Sequence, residues 1–153
     1  DIVGAPRPLD LAAMSWAWQY GRKFAKIEVS DPAGAAGTWK DETFFVHLGS
    51  TGCYGNPGAD EIGCSVSNRV ALRFARFNPA TQKIALDVRA LLAGNDVTVN
   101  RADAPGCMSE GADPECDGVM RTGLALDWKA GGSGTGQPVG NGLGQTVFRV
   151  RPR

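Results

Sequence analysis

Four cysteines, arranged as two local pairs, constrain the fold of this 153-residue chain more than any other feature. Cys53 and Cys64 flank one short loop rich in glycine and acidic residues, and Cys107 and Cys116 flank another. Three disulfide connectivities are open, of which local pairing is the simplest. A zinc site made by all four cysteines is the alternative, although zinc ligands within a pair usually lie about two to four residues apart. Disulfides would indicate an oxidising compartment.

Short runs of β-forming or alternating residues, separated by glycine and proline, fill most of the chain. Strands are predicted at 23–29, 44–48, 69–74, 84–88 and 146–150. The turn sequence Asn78-Pro79-Ala80-Thr81 predicts that the third and fourth of these strands form a hairpin. The expected fold is mainly β: an antiparallel β-sandwich (Ig-like) with one short helix and long disulfide-pinned loops. Residues 1–153 are expected to form a single domain.

Helical signals are few. Asp113-Pro114-Glu115 predicts a helix start, with Asp113 as the N-cap, and the helix is expected to run to about Thr122, before Gly123. Residues 90–93 are expected to form one helical turn. Residues 11–14 are good helix formers, although the residues that follow them also fit a strand.

Charge and hydropathy exclude two classes of partner. Sixteen basic and sixteen acidic side chains cancel, so no broad positive field attracts nucleic acid or an anionic membrane surface. No apolar run approaches the roughly 20 residues that span a bilayer, so we expect a chain that is not membrane-spanning. Residue 1 is Asp rather than Met, which suggests an N-terminus made by processing or cloning.

His47 is the single histidine of the chain and follows the apolar run Phe44-Phe45-Val46. One histidine cannot build a mononuclear metal site alone, so His47 is either structural or one ligand of a site completed by other groups. The methionine thioethers suit Cu(I), but methionines far apart in sequence more often fill the core. These methionines are Met14, Met108 and Met120.

Catalytic chemistry has little support in the sequence. Ser50 and its neighbours do not match the Gly-x-Ser-x-Gly nucleophile elbow, and a triad would need His47 as its base. The carboxylates in and around the cysteine loops match no EF-hand spacing, and we expect them to be solvated loop charges. These carboxylates are Asp60, Glu61, Glu110, Asp113, Glu115 and Asp117.

An aromatic cluster near the N-terminus has three interpretations. Trp16, Trp18 and Tyr20 alternate, so they share one face if the segment is extended. They could pack in the core, or form an exposed platform for a ligand such as a sugar. The third interpretation, a tryptophan that is the target of oxidation, depends on a family resemblance.

Several separated pieces, in order along almost the whole chain, carry such a resemblance. They are Met14-Ser-Trp-Ala-Trp-Gln-Tyr-Gly-Arg-Lys-Phe24, Phe45-Val-His-Leu-Gly-Ser-Thr-Gly-Cys53, Cys64 with Asn68-Arg69, Gly106-Cys-Met-Ser109 and Asp113-Pro-Glu-Cys116. The chain resembles the MbnP-like family, the four-cysteine proteins of the "metallo-mystery pair".

The resemblance implies a periplasmic or secreted, copper-binding β-sandwich protein that is not itself an enzyme. Family members are typically encoded beside a di-haem MauG-like peroxidase, which oxidises a tryptophan of its partner to kynurenine. By motif, His47 is the expected copper ligand, and Trp16 and Trp18 are candidates for oxidation. Family members usually have a further segment before the Met-x-Trp-x-Trp motif. The resemblance therefore implies that residues 1–153 are the C-terminal portion of a larger MbnP-like domain, or that another polypeptide supplies the missing N-terminal strands and ligands.

Two other functions stay open at this stage. A structural or adhesive β-sandwich subunit of an extracellular or membrane-attached assembly, without metal, fits the near-neutral surface and the glycine-rich segment at 131–144. A small hydrolase that uses carboxylates is the weaker alternative.

Overall fold

β2 (Thr43–Gly49) is the strand around which the described part of the molecule is arranged. The computed structural model describes residues 11–16, 21–30, 43–56, 61–69, 72–101, 104–128, 137, 139–142 and 144–153. β2 pairs antiparallel with β1 (Lys23–Ser30) and parallel with the two-residue β6 (Gly106–Cys107). The strands predicted at 23–29 and 44–48 are therefore confirmed.

The two faces of the β1–β2 pair differ in burial. Phe44, Val46 and Leu48 are buried, whereas the residues between them are only half-buried. The register places Ile27 opposite Val46 on the buried face and Lys26 opposite His47 on the other. Because side chains alternate across a strand, this pair has one core face and one outer face, and His47 lies on the outer face.

Two further antiparallel pairs complete the strands of the described residues. β3 (Thr51–Asn56) pairs with β4 (Glu61–Val66), and β5 (Gln82–Leu86) pairs with β7 (Phe148–Pro152). The fold is mainly β and sandwich-like, as predicted, although the β2–β6 pair is parallel.

The predicted hairpin between 69–74 and 84–88 is wrong. Residues 72–74 form no strand, and β5 pairs with β7, so that Leu86 lies opposite Phe148. The predicted turn at Asn78 is present, since the Asn78 carbonyl accepts the Thr81 and Gln82 N–H groups. Alternation of apolar and polar residues shows that a segment suits a strand, but it does not determine which strand pairs with it. Here β5 pairs with the C-terminal strand β7.

The expectation of one short helix is also wrong, because the described residues contain four short helical segments. They are α1 (Leu11–Met14), α2 (Val88–Leu92), a π-helix (Gly118–Gly123) and a 3-10 helix (Val139–Gly142). The strand predicted at 84–88 ends at Leu86, because Asp87 is the N-cap of α2. The Asp87 side chain accepts the Ala90 N–H. No helix among the described residues is long and apolar enough to cross a bilayer.

The helix predicted after Asp113 begins later and has a different hydrogen-bond pattern. Residues 114–115 form a turn, and the Leu124 N–H bonds to the Val119 carbonyl five residues earlier. Asp113 nevertheless caps the turn, since its Oδ1 accepts the Glu115 N–H at 2.9 Å. Gly123 ends the π-helix, as predicted.

The core lies between β2 and the helical segments. Side chains of β2 pack with Leu91 of α2 and with apolar residues of the C-terminal third. The latter are Val119, Met120, Leu124, Leu126, Trp128 and Val147. Met120 is therefore core filler, one of the two roles considered for the methionines.

Both local disulfides are present, between Cys53 and Cys64 and between Cys107 and Cys116. The zinc alternative is therefore wrong. Cys53 and Cys64 lie directly opposite each other in the β3–β4 pair. Cys107 and Cys116 are fully buried in the core cluster, and their bond ties β6 to the turn before the π-helix.

We expect the two disulfides to differ in their effect on stability. Their sequence separations of 11 and 9 are similar, so the loop-entropy contributions are similar. Only the Cys107–Cys116 bond is also part of the packed core. The double variant Cys107→Ala/Cys116→Ala should lose about 3–5 kcal/mol of unfolding free energy in denaturant titrations.

Cys53→Ala/Cys64→Ala is the matched comparison and should lose less, about 2–3 kcal/mol. Equal losses in the two double variants would contradict the assigned role of the buried bond.

Candidate functional site

His47 lies in the middle of the outer face and faces a carboxylate. Its Nε2 is 3.2 Å from Oε1 of Glu28, and the same oxygen is 2.9 Å from Nζ of Lys26. The Phe45 ring, two residues away on the same face, lies 5.2 Å from the imidazole centroid. The His47 side chain is 12% exposed, so a small ligand could reach it although it is mostly covered.

The electrostatic setting keeps His47 neutral. Burial lowers the pKa of His47 from its ordinary 6.5, and the hydrogen bond with Glu28 opposes that shift only in part. The hydrogen bond from Lys26 lowers the pKa of Glu28, so this carboxylate is ionised at neutral pH. An ionised carboxylate can only accept, so Nε2 carries the imidazole proton and Nδ1 keeps its lone pair.

The described residues provide one imidazole ligand but no complete metal site. No group of three or more His, Cys, Asp or Glu side chains among them could hold a metal ion. His47 with Glu28 behind it matches the carboxylate–histidine pair that orients ligands in metalloproteins. The arrangement fits one ligand of a metal site whose other ligands would come from outside the described residues.

Two residues after His47, the backbone of Gly49 is held from three sides. Its N–H bonds to the Ser109 hydroxyl at 3.2 Å, and its carbonyl accepts a hydrogen bond from Asn68 Nδ2 at 2.9 Å. The Trp16 ring covers its Cα so closely that an added Cβ would lie 2.5 Å from the ring. The Ser109 hydroxyl also donates to the His47 carbonyl at 2.8 Å.

We call Gly49, Ser109, Asn68 and Trp16 the Gly49 clamp. The four clamp residues come from different parts of the chain, and they meet at the C-terminal end of β2, two residues after His47. Asn68 and Ser109 are buried and have positive φ angles of 50° and 61°. Non-glycine residues rarely adopt this region, and such outliers persist where the surroundings impose them. The clamp therefore holds the β2 backbone at His47 and Gly49 in one conformation.

Of the two tryptophans that are candidates for oxidation, Trp16 is placed by the structure, and Trp18 lies outside the described residues. Trp16 is 7% exposed, its Nε1 donates to the Ser50 carbonyl, and Lys23 Nζ lies 5.5 Å from its ring centroid. These contacts support core packing for Trp16, and its oxidation stays a prediction.

The acidic residues of the second cysteine loop correct an expectation. Asp113 and Glu115 are 6% and 3% exposed and are not solvated loop charges. Asp113 Oδ2 accepts the Met108 N–H at 2.8 Å, and Glu115 Oε1 accepts the Arg101 N–H at 2.7 Å. Burial raises the pKa of both carboxyls, and Glu115 Oε2 is buried without a hydrogen-bond partner.

The sequence alone did not reveal the residues that contact His47 and the backbone next to it. Glu28 could have been found, because it lies on the polar side of the predicted strand at 23–29. Ser109 and Asn68 were visible only as parts of the family motifs, because their contacts with Gly49 join positions 60 and 19 residues apart in the sequence. The local pairing of the four cysteines was predicted correctly, and the role of His47 as a metal ligand stays a prediction.

The clamp predicts a large effect from one added methyl group. Gly49→Ala would place a Cβ against the Trp16 ring and 2.8 Å from the Arg22 carbonyl. Overpacking of this kind should cost at least about 2–3 kcal/mol of unfolding free energy, measured by chemical denaturation. Gly144→Ala is the matched control, because its Cβ would meet only Ala125 at an ordinary 3.4 Å. A Gly49→Ala protein as stable as the control would contradict the clamp.

The buried carboxyl pair predicts an unusual pH dependence. Because the folded-state pKa values of Asp113 and Glu115 are raised, their contribution to stability is greatest below their ordinary values of 3.8 and 4.5. It is lost as the pH rises through the raised values. Glu115→Gln should therefore be more stable than the parent at pH 7, by about 1 kcal/mol, because the neutral amide avoids the cost of burying an ionised carboxylate.

Thermal melts between pH 7 and pH 5 would measure this difference, which should shrink as the pH falls. A constant difference across this range would show that Glu115 does not change protonation. Glu110→Gln, an exposed acidic position in the same loop, should show no such trend.

Comparisons with known proteins identify the family. The MbnP family model matches residues 2–109. The structure is similar to that of MbnP from Methylosinus trichosporium, with a TM-score of 0.77 and 39% sequence identity. The superposition covers 97% of this chain and 53% of that one, so this chain spans about half the length of its relative. No curated protein matches. The chain belongs to the MbnP family.

Proposed function

We propose that this protein is a copper-binding accessory protein of a methanobactin-associated system, and that His47 supplies a ligand to the metal. Membership of the MbnP family supports the accessory role. The observation that carries the ligand assignment is the contact between His47 Nε2 and Glu28, which leaves Nδ1 able to bind a metal.

The chemistry of the outer face suits Cu(I). Copper accepts imidazole nitrogen and thioether sulfur, and when bound it would provide the redox-active centre. Glu28 orients the imidazole and increases its basicity through the Nε2 proton, and Lys26 keeps Glu28 ionised. The lowered pKa of His47 means that no proton has to leave the ring before metal binds at neutral pH.

The remaining ligands are proposed to come from outside the described residues. Copper needs at least two ligands, and no three-residue His, Cys, Asp or Glu cluster exists among the described residues. The relative is about twice as long as the matched region, so additional MbnP sequence is the natural source. In this proposal the protein contributes the His47 imidazole, held next to the Gly49 clamp, and additional sequence contributes the other ligands.

The proposal extends to partner and compartment. A di-haem MauG-like peroxidase is the proposed partner, with Trp16 or Trp18 as the candidate for oxidation to kynurenine. The protein itself is proposed not to be an enzyme. Both disulfides require an oxidising compartment to persist, which supports a periplasmic or secreted location.

The structural or adhesive subunit is the second candidate. An open apolar groove beside the core supports it, because such a groove suits assembly with another polypeptide. Metal binding separates the two functions, since an adhesive subunit has no need of the neutral, carboxylate-oriented imidazole of His47.

Anaerobic Cu(I) titration against a chromophoric chelator tests the ligand assignment when it is done on this chain together with the sequence that supplies the remaining ligands. His47→Ala should reduce the affinity at least about 100-fold, and Glu28→Gln should reduce it about 10–100-fold by removing the orienting charge. Glu110→Gln is the matched control for loss of one negative charge and should bind as the parent does. Unchanged affinity in His47→Ala would overturn the assignment.

The pH dependence of the same titration follows from the pKa of His47. Because that pKa lies below 6.5, affinity should stay level as the pH falls from 8 to 6.5 and decrease only below it. A decrease that begins at or above pH 7 would contradict a buried, neutral ligand.

A further inference from the structure

A small cavity of about 100 Å³ lies between the segment that follows α2 and the turn before the π-helix. Arg101 carries the one positive charge among the residues that line it, and three of the others carry carboxylates. These are Asp96, Glu115 and Asp117. Asp117 is paired with Arg121 at 2.6 Å, so with Glu115 ionised the cavity keeps one negative charge more than Arg101 cancels. The charge balance favours a cation over an anion.

Glu115 is fixed on three sides and keeps one oxygen free. Its N–H bonds to Asp113 Oδ1 at 2.9 Å, its carbonyl accepts from Asn95 Nδ2 at 2.6 Å, and its Oε1 accepts the Arg101 N–H at 2.7 Å. The residue is 3% exposed, and its second carboxylate oxygen, Oε2, has no hydrogen-bond partner. A buried carboxylate oxygen in this state costs free energy unless a ligand or water binds it.

Asn95 provides a second free oxygen at the same cavity. Its Nδ2 donates to the Glu115 carbonyl, and this contact fixes the orientation of the amide, because exchanging its N and O would set two oxygens against each other. The Asn95 Oδ1 atom is then the free one, and it is buried without a hydrogen-bond partner. Two hydrogen-bond acceptors that lack a donor therefore belong to residues that line one cavity.

Two glycines hold the walls of the cavity at a fixed separation. A Cβ on Gly94 would lie 2.7 Å from the Gly118 Cα, and a Cβ on Gly118 would collide with Asn95 Oδ1. The Cys107–Cys116 disulfide holds the segment that carries Glu115. The two free oxygens are thus held in place before a ligand binds, which reduces the entropic cost of binding one.

The chemistry of the two free atoms selects a hard cation. Carboxylate and amide oxygens are ligands for Ca²⁺ and Mg²⁺, whereas sulfur is the preferred ligand of Cu(I). Ca²⁺ tolerates irregular geometry and accepts water as a further ligand, whereas Mg²⁺ demands a near-ideal octahedron. Since a water molecule takes about 30 Å³, the cavity has room for an ion with two or so water ligands.

Water alone is the competing occupant. A water molecule could donate to both free oxygens, but it could not offset the negative charge of the cavity. Burial raises the pKa of Glu115, because its ionised form is costly without a compensating charge. A bound cation provides that charge, and water does not.

We propose that this cavity is a Ca²⁺ site in which Glu115 Oε2 and Asn95 Oδ1 bind the ion and water completes its coordination. The site has one buried carboxylate and one amide as ligands, so it differs from a cluster of three His, Cys, Asp or Glu side chains, which the described residues do not form. So few protein ligands predict a weak site, with a Kd of about 10⁻⁴–10⁻³ M. The inference does not depend on copper binding.

Thermal melts of the chelator-treated chain, with and without CaCl₂, test the site. At about 10 mM, calcium that binds only the folded chain should raise the Tm by about 3–10 °C. MgCl₂ at the same concentration is the matched ionic control and should give less than about half of that shift. Calorimetric titration with CaCl₂ should show one site per chain.

Variants assign the ligands. Glu115→Gln should remove most of the calcium shift, because it replaces the ionised ligand, and Asn95→Ala should reduce the shift by at least about half. Two controls should keep the full shift. Glu110→Gln removes an exposed acid of the same loop, and His47→Ala separates this site from the proposed copper site.

The order of stability provides an internal check. With chelator present, Glu115→Gln should be more stable than the parent, as the raised pKa of Glu115 predicts. Calcium should narrow or reverse that order, because it stabilises only the parent.

Three results would overturn the proposal. The absence of both a calcium shift and a calorimetric signal would assign the cavity to water. An equal shift with MgCl₂ would be a general effect of divalent cations on the charged surface. An undiminished shift in Glu115→Gln would place the ion elsewhere.

Discussion

The backbone of one glycine, Gly49, is the point on which the described structure depends. The Ser109 hydroxyl, the Asn68 amide and the Trp16 ring hold it, and no side chain larger than hydrogen leaves room for that ring. These contacts connect β2, the loop after β4, the N-terminal segment and the Cys107–Cys116 loop. Because the Ser109 hydroxyl also binds the His47 carbonyl, the same clamp that joins the elements positions the single imidazole.

The proposed function depends on the residues that lie on the two faces of β2. Its core face packs against the helical segments but is open at the groove, and its outer face presents His47 with Glu28 and Lys26. Among the described residues no group of three His, Cys, Asp or Glu side chains could hold a metal, so the proposed copper site needs ligands besides His47 from elsewhere.

The sequence predicted those features that depend on near neighbours. Local alternation predicted β1 and β2, and short spacing predicted both disulfides. It failed where distant residues decide. The Arg69–Phe74 alternation could not show that β5 would pair with the C-terminal strand. The acidic pattern around Asp113 could not show that two carboxyls would be buried and that burial would raise their pKa values. Glu28 was visible only as a polar strand position until the register placed it beside His47.

The lone histidine allows a direct test of the central claim, that Glu28 prepares Nδ1 of His47 to bind copper. Long-range ¹H–¹⁵N correlation NMR of a protein with one histidine shows one imidazole, so its tautomer and metal-bound nitrogen can be assigned without mutation. At pH 7 the metal-free protein should show the neutral Nε2–H tautomer, and Cu(I) should shift the Nδ1 resonance. A neutral ring protonated on Nδ1, or an imidazole unchanged by Cu(I), would contradict the account.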